Sequence, residues 1–175
     1  MEAYEFIFEQ RKMLFHAHLM HQSFLSSRAP TNISTPLWLM VEARDAWMSQ
    51  SHDDVTVSRS QQELAHILDK LGVWHEVEHV TDDGYFSIDI HLPDHDIAVE
   101  FDGPSHYYNN GDSPPEGRDG TTTRTAKTEL RDLFLSQRCA EVLTVPWFES
   151  NWFNASAVKR TLYVRELLAK EGIVV

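Results

Sequence analysis

Apolar residues recur at helical spacing in the first part of the chain and at strand spacing between about 73 and 102, and these two periods lay out the elements. From Glu2 to Leu25, Phe6, Met13, Ala17 and Met20 can share one side of a helix, with Glu2, Glu5 and Glu9 suiting its N-terminal turns. SSRAPTNISTP then reads as a linker, and Ser34 or Thr35 ahead of Pro36 predicts a new helix start. That second helix, Pro36 to Ser49, is expected to bury Leu37, Met40, Val41 and Trp47. A third, Arg59 to Leu71, carries Leu64, Ile67, Leu68 and Leu71 on one face and is closed by Gly72.

The period then changes to two. Residues 73–80, 85–91 and 97–102 predict three consecutive antiparallel strands, with TDDG as the first turn and PDHD as the second. Ile88 and Ile90 face one way and Ser87, Asp89 and His91 the other; on the next strand Ile97, Val99 and Phe101 are apolar, which puts Ala98, Glu100 and Asp102 on the polar face. A turn centred between Asp94 and His95 pairs residues whose numbers sum to 189, so Asp89 faces Glu100 and Ser87 faces Asp102. Residues 107–123 are rich in Gly, Pro, Asn and Thr and read as a loop beside the carboxylates, a lid, an RNA-facing segment or an insertion. A helix over 125–138 with Ala126, Leu130, Leu133 and Phe134 toward the sheet, a strand AEVLTVPW, and a helix over 155–171 with Ala157, Val164 and Leu168 inward complete the pattern. The fold class is α/β, a core ordered α-β-β-β-α-β-α preceded by two N-terminal helices, with a boundary between a helical segment, 1–55, and the main domain, 56–175.

Two carboxylates directly opposite on paired strands repel, so Asp89 and Glu100 call for a divalent cation, a shared proton or full exposure to water. Gly103 and Pro104 stop the strand just beyond them, and His106 follows within reach. The strand IAVEFDGPSH, the polar loop, the helix opening TAKTELRDLFL and the strand ending VLTVPWFE together resemble the RAP domain, an RNA-binding module of organellar proteins that include the FAST kinase-like family. The resemblance spans roughly residues 59–171 and implies a PD-(D/E)XK nuclease-like core of the very-short-patch-repair type. It implies a metal pair at Asp89 and Glu100 and, if the protein is active, catalysis by Asp89, Glu100, Asp102 and His106 with Lys127 as cation. Asp102 stands where the general nuclease pattern has lysine, a departure shared by the very-short-patch-repair variant.

Composition alters this picture in its charge. The chain of 175 residues has a formal net charge of -12, but residues 1–117 hold 6 Lys and Arg against 20 Asp and Glu, whereas 118–175 hold 9 against 7. Cations are therefore expected on the helix after the loop, where Arg124, Lys127, Arg131 and Arg138 recur at spacings of three, four and seven. Such a stripe can contact successive phosphates or lie solvated beside Glu129 and Asp132; Tyr107 and Trp147 are the aromatics placed to stack on bases. His75, Glu76 and His79 satisfy the zinc-peptidase pattern H-E-x-x-H, but on a strand the two histidines stand about 13 Å apart, too far for one zinc. Cys139 is the single cysteine and reads as a buried thiol, and no apolar run approaches the roughly 20 residues that span a bilayer.

Three functions fit these features. The resemblance implies an RNA-binding protein acting on an organellar transcript or rRNA in the mitochondrion or the plastid, with no cofactor and no membrane. A structural subunit of an organellar ribosome or other RNA-protein assembly is the second, and a Mg²⁺-dependent endoribonuclease the third. Glu2, Glu5 and Glu9 do not suit an organelle presequence, which is expected to be rich in Arg and poor in acids.

Overall fold

The helix Arg59–Leu71 starts where Ser58 caps it, the Ser58 hydroxyl accepting from the Gln61 N–H while the Gln61 side chain accepts from the Ser58 N–H. It ends where Gly72, at φ 73°, takes the left-handed conformation that lets its N–H reach the last carbonyls. The computed structural model describes residues 2–25, 36–53, 57–108, 123–149 and 151–175. Its elements in chain order are α1 (Glu2–Leu25), α2 (Leu37–Asp53), α3 (Arg59–Leu71), β1 (Glu76–Val80), β2 (Ser87–Leu92), β3 (Ile97–Asp102), α4 (Ala126–Leu135), β4 (Glu141–Pro146) and α5 (Ala157–Lys170), with one 3-10 turn at Pro104–His106. From α3 onward this is the expected α-β-β-β-α-β-α order, behind two N-terminal helices. Among the described residues no helix is long and apolar enough to cross a membrane.

The chain forms two compact units, residues 1–56 with 80–87, and residues 57–79 with 88–175. The turn TDDGYF thus belongs with the N-terminal helices. In that first unit α1 packs on α2. Phe15 meets the edge of Tyr85 at 4.9 Å between ring centroids, and the Trp47 indole N–H donates to the Tyr85 carbonyl at 2.9 Å. The buried positions differ from those expected. On α1 they are Lys12, Phe15 and Leu19, whereas Met13 and Ala17 are exposed; Phe6 lies outside the residues whose side chains are described. On α2 Ala43 and Ala46 are buried, while Leu37 and Val41 are exposed and Met40 is half-buried. Small residues let two backbones approach closely, and a scale that ranks positions by apolar size overlooks them.

In the second unit the sheet order is β1-β2-β3-β4, with β2 antiparallel and β4 parallel to β3. β3 is buried along its whole length because both of its faces are covered. Ile97, Val99 and Phe101 join Ile90, Leu92, Leu143 and Val145 in a core closed by Leu64, Ile67 and Leu68 of α3 and by Val164 and Leu168 of α5. Trp152, fully buried, meets Phe101 edge-on and anchors the turn between β4 and α5. Ala157, expected inward on α5, is exposed, and Cys139 is buried as expected.

Replacing Leu64, fully buried on α3, by Ala should cost about 2–5 kcal/mol. The change Met13→Ala, on the exposed side of α1, should stay within about 0.5 kcal/mol. Urea unfolding of the two variants checks both the core and the corrected face of α1.

Candidate functional site

The register Ile90–Val99, His91–Ala98 and Leu92–Ile97 has the expected sum, and one step further along Asp89 stands opposite Glu100. There the two strands are joined through side chains. The Asp89 N–H donates to Glu100 Oε1 at 3.2 Å, and the Phe101 N–H donates to Asp89 Oδ2 at 2.9 Å. Each carboxyl group thus satisfies a backbone donor of the facing strand. On its other side Glu100 sits beside Thr144 of β4.

The charge of the pair is met by α4. Thr125 caps this helix by accepting from the Thr128 N–H, and the inward side chains two turns along include Arg131. Arg131 Nε donates to Glu100 Oε2 at 2.7 Å. Burial nonetheless pushes the Glu100 carboxyl up to about 7, since Arg131 only partly offsets the loss of water and Asp89 adds repulsion. Burial also raises Asp89, against the pull of the Phe101 N–H, Arg131 and a hydrogen bond from Gln61. Both answers to the facing carboxylates are present, a cation from α4 and a proton held more tightly than in water.

Asp102, two residues along on the same face, is 1% exposed and gathers three groups. His106 Nδ1 lies 2.8 Å from its Oδ1, Arg124 Nη2 lies 2.7 Å from its Oδ2, and the Tyr107 hydroxyl donates to that same oxygen at 3.2 Å. Arg124 also pairs with Asp132. It reaches Asp102 because a backbone bridge between Tyr107 and Arg124 pins together the two stems of the segment 109–122. That segment, read as a lid or RNA-facing loop, lies outside the described residues.

These side chains border a cleft of about 600 Å³. Asp89, Glu100 and Arg131 line it with Gln61 of the α3 start, and His106 and Lys127 are among the residues on its other sides. His106 brings an imidazole beside a buried carboxylate to the cleft, and Lys127 is exposed there to attract an anion.

The five proposed catalytic residues therefore divide. Asp89, Glu100, His106 and Lys127 line one cleft, whereas Asp102 lies beneath His106 as a buried partner. The expected phosphate stripe is differently placed. Arg124 and Arg131 turn inward to Asp102 and Glu100, Arg138 Nη1 donates to the Phe134 carbonyl, and Lys127 faces outward. Ala126, expected inward, is exposed, while Thr128, Phe134 and Leu135 are buried and Leu130 and Leu133 partly so. The spacing grouped four cations, of which Arg124 and Arg131 answer the carboxylates of β3. Tyr107, expected to stack on bases, is buried against Phe148. Trp147 is half-buried on the core, its indole nitrogen without a hydrogen-bond partner among the described residues. Gln61 was missed as a site residue, although Ser58-x-x-Gln61 is a capping-box pattern legible in the chain.

Asp89 and Glu100 do not fit a Mg²⁺ site as they stand. An oxygen of each is engaged by the facing strand and the second oxygen of Glu100 by Arg131, whereas Mg²⁺ demands an octahedral oxygen shell. Groups of three ligating side chains with ligand atoms close together occur elsewhere among the described residues.

No family model matches the chain, and no curated protein matches it. Among solved structures it is similar to the catalytic domain of the homing endonuclease I-Bth0305I, with 18% identity and a TM-score of 0.37 over 65% of this chain and 96% of that one. A likeness at this level leaves the chemistry of the cleft to be read from its own residues.

Folded Glu100 keeps its proton to about pH 7, against 4.5 for the free group, so the folded state binds more protons than the unfolded one in that interval. Stability from this group is complete below the lower value and falls as pH rises through the upper one, by a magnitude on the order of 3 kcal/mol. Glu100→Gln, which resembles the protonated acid, should flatten that fall in urea unfolding measured from about pH 5 to about pH 8. Removing the cation acts in the opposite sense. Arg131→Met should cost about 3–5 kcal/mol near pH 8, where both carboxylates lose their partner, and distinctly less near pH 5.

Proposed function

We propose that this chain is an RNA-binding module of the RAP type, acting in organellar RNA metabolism or translation, and that single-stranded RNA lies along the cleft at the end of β3. The observation that carries this reading is the internal compensation of the carboxylates. With Arg131 on Glu100 and Arg124 on Asp102, the floor of the cleft repels a polyanion far less than the net charge suggests. Facing RNA are Lys127, His106 and the hydroxyl of Ser105, with the exposed ring of Phe153 at the rim as a surface for stacking. The organellar setting, mitochondrial or plastid, rests on the resemblance of EFDGPSH and its surrounding elements to RAP domains.

Fluorescence anisotropy of a labelled single-stranded RNA, titrated across salt concentrations with and without Mg²⁺ or Mn²⁺, tests the proposal. Lys127→Ala should weaken binding about equally for different sequences and reduce the salt slope by roughly 0.7, the value for one phosphate contact on a single strand. Phe153→Ala should weaken binding by about 1–3 kcal/mol without changing that slope. Intact RNA with these two effects supports the module. Metal-dependent cutting that Asp89→Asn abolishes would replace it with an endoribonuclease, and absence of binding would leave a structural subunit of an RNA-protein assembly.

A further inference from the structure

Glu78 is an acidic residue in the middle of a strand with φ 52°, a left-handed conformation that a non-glycine side chain adopts only against steric resistance. It is held there by Gln61, whose Nε2 donates to Glu78 Oε1 at 2.9 Å. The local consequence is a break in alternation. Residues three apart on a regular strand point to opposite faces, yet Glu76 and His79 meet, with His79 Nδ1 2.6 Å from Glu76 Oε2. The bulge also brings His79 against His91 of β2, the rings stacked at 4.4 Å between centroids and 26° apart. Glu76, His79 and His91 can each offer a ligand atom within 4.8 Å of the others.

We propose that these three side chains form a binding site for a divalent transition-metal ion, Zn²⁺ in particular, with a fourth position left for water. The donor set is right for that ion, since two imidazoles and one carboxylate suit zinc and not the harder Mg²⁺ or Ca²⁺. Tetrahedral zinc places ligand atoms about 3.3 Å apart, so rotamer adjustment of these side chains closes the site. Access is open from Glu76 and His79, whose side chains are 44% and 28% exposed, while His91 is only 13% exposed. His91 Nδ1 is buried and has no hydrogen-bond partner among the described residues. This is half of the H-E-x-x-H pattern used in another way, because the bulge brings in Glu76 and His79 while His75 Nδ1 is turned to the Val73 carbonyl at 3.0 Å. His91 also lies near Asp96 and Cys139, a second possible trio sharing the same histidine. The first trio is the better site because two of its members open to solvent, whereas Cys139 is buried. A metal here would tie the short strand β1 to β2 and offset the strain at Glu78.

Isothermal titration of the full chain, stripped of metal, with ZnCl₂ tests the site, and Co²⁺ absorption reports its ligands. One equivalent of Zn²⁺ should bind and raise the melting temperature. His79→Ala and His91→Ala should each lower affinity by more than the roughly 10–100-fold typical of losing an outer partner, and Glu76→Gln should weaken it less. His75→Ala and Glu100→Gln should leave the zinc affinity unchanged, which separates this site from the cleft. If either histidine variant fails to fold, the Co²⁺ spectrum of the intact chain still decides, since nitrogen and oxygen ligands give a tetrahedral spectrum without a sulfur-to-cobalt band. Absence of stoichiometric zinc binding, undiminished binding by folded His79→Ala, or a sulfur band abolished by Cys139→Ser would each overturn the proposal.

Discussion

The arginine that α4 lays over β3 is the interaction on which the candidate site depends. A buried strand with Glu100 and Asp102 on one face would be severely destabilised if both carboxylates were ionised and unpaired. Arg131 on Glu100 and Arg124 on Asp102 make the arrangement possible. Arg131 sits on the inward side of α4 with Phe134 and Leu135, while Arg124 reaches Asp102 from just before the helix cap. The compensation is partial, because Glu100 still retains its proton to about pH 7.

The same interaction shapes what the cleft can attract. Cations occupied inside the protein are lost to a ligand, so an RNA would meet Lys127, imidazole and hydroxyls rather than an arginine ladder. On the proposed reading, its salt dependence would be shallower than that of a strongly basic RNA-binding protein. His106 is set apart from the other groups by the buried carboxylate beside it. The hydrogen bonds of Asp89 and Glu100 to the facing strand have a second effect. They hold β2 and β3 together at the point where the ladder would otherwise end, so the carboxylates brace the mouth of the cleft as well as line it.

Strain and buried polarity gather around Gln61, which links both ends of this region. Its side chain accepts from the Ser58 N–H at the start of α3, donates to Glu78 at the bulge of β1, and lies by Asp89 in the cleft. One amide thereby connects the helix cap, the strained strand and the carboxylate pair. A change there would disturb the cleft and the histidine cluster together, although neither shares a charged residue with the other.

The chain by itself determined the local terms. Alternating Ile88, Ile90, Ile97, Val99 and Phe101 established which side of the hairpin is core, and the position of PDHD established the register that sets Asp89 across from Glu100. Leu64, Ile67 and Leu68, with Gly72 behind them, marked α3, and Val164 and Leu168 marked the inward face of α5. These follow from nearest-neighbour geometry, in which a period of two or 3.6 residues is enough to separate faces. Tertiary structure decided the rest. Spacing grouped Arg124 and Arg131 but could not reveal that they meet β3, because the meeting depends on β4 pairing parallel to β3 and on the bridge between Tyr107 and Arg124, neither of which a local period encodes. Ala43 and Ala46 were preferred to Leu37 and Val41 in the α2 interface because closeness of two helices, absent from any one-dimensional pattern, rewards small side chains. The bulge at Glu78 likewise brought Glu76 and His79 together against the alternation of a regular strand, since its left-handed backbone is held by Gln61 from a different element.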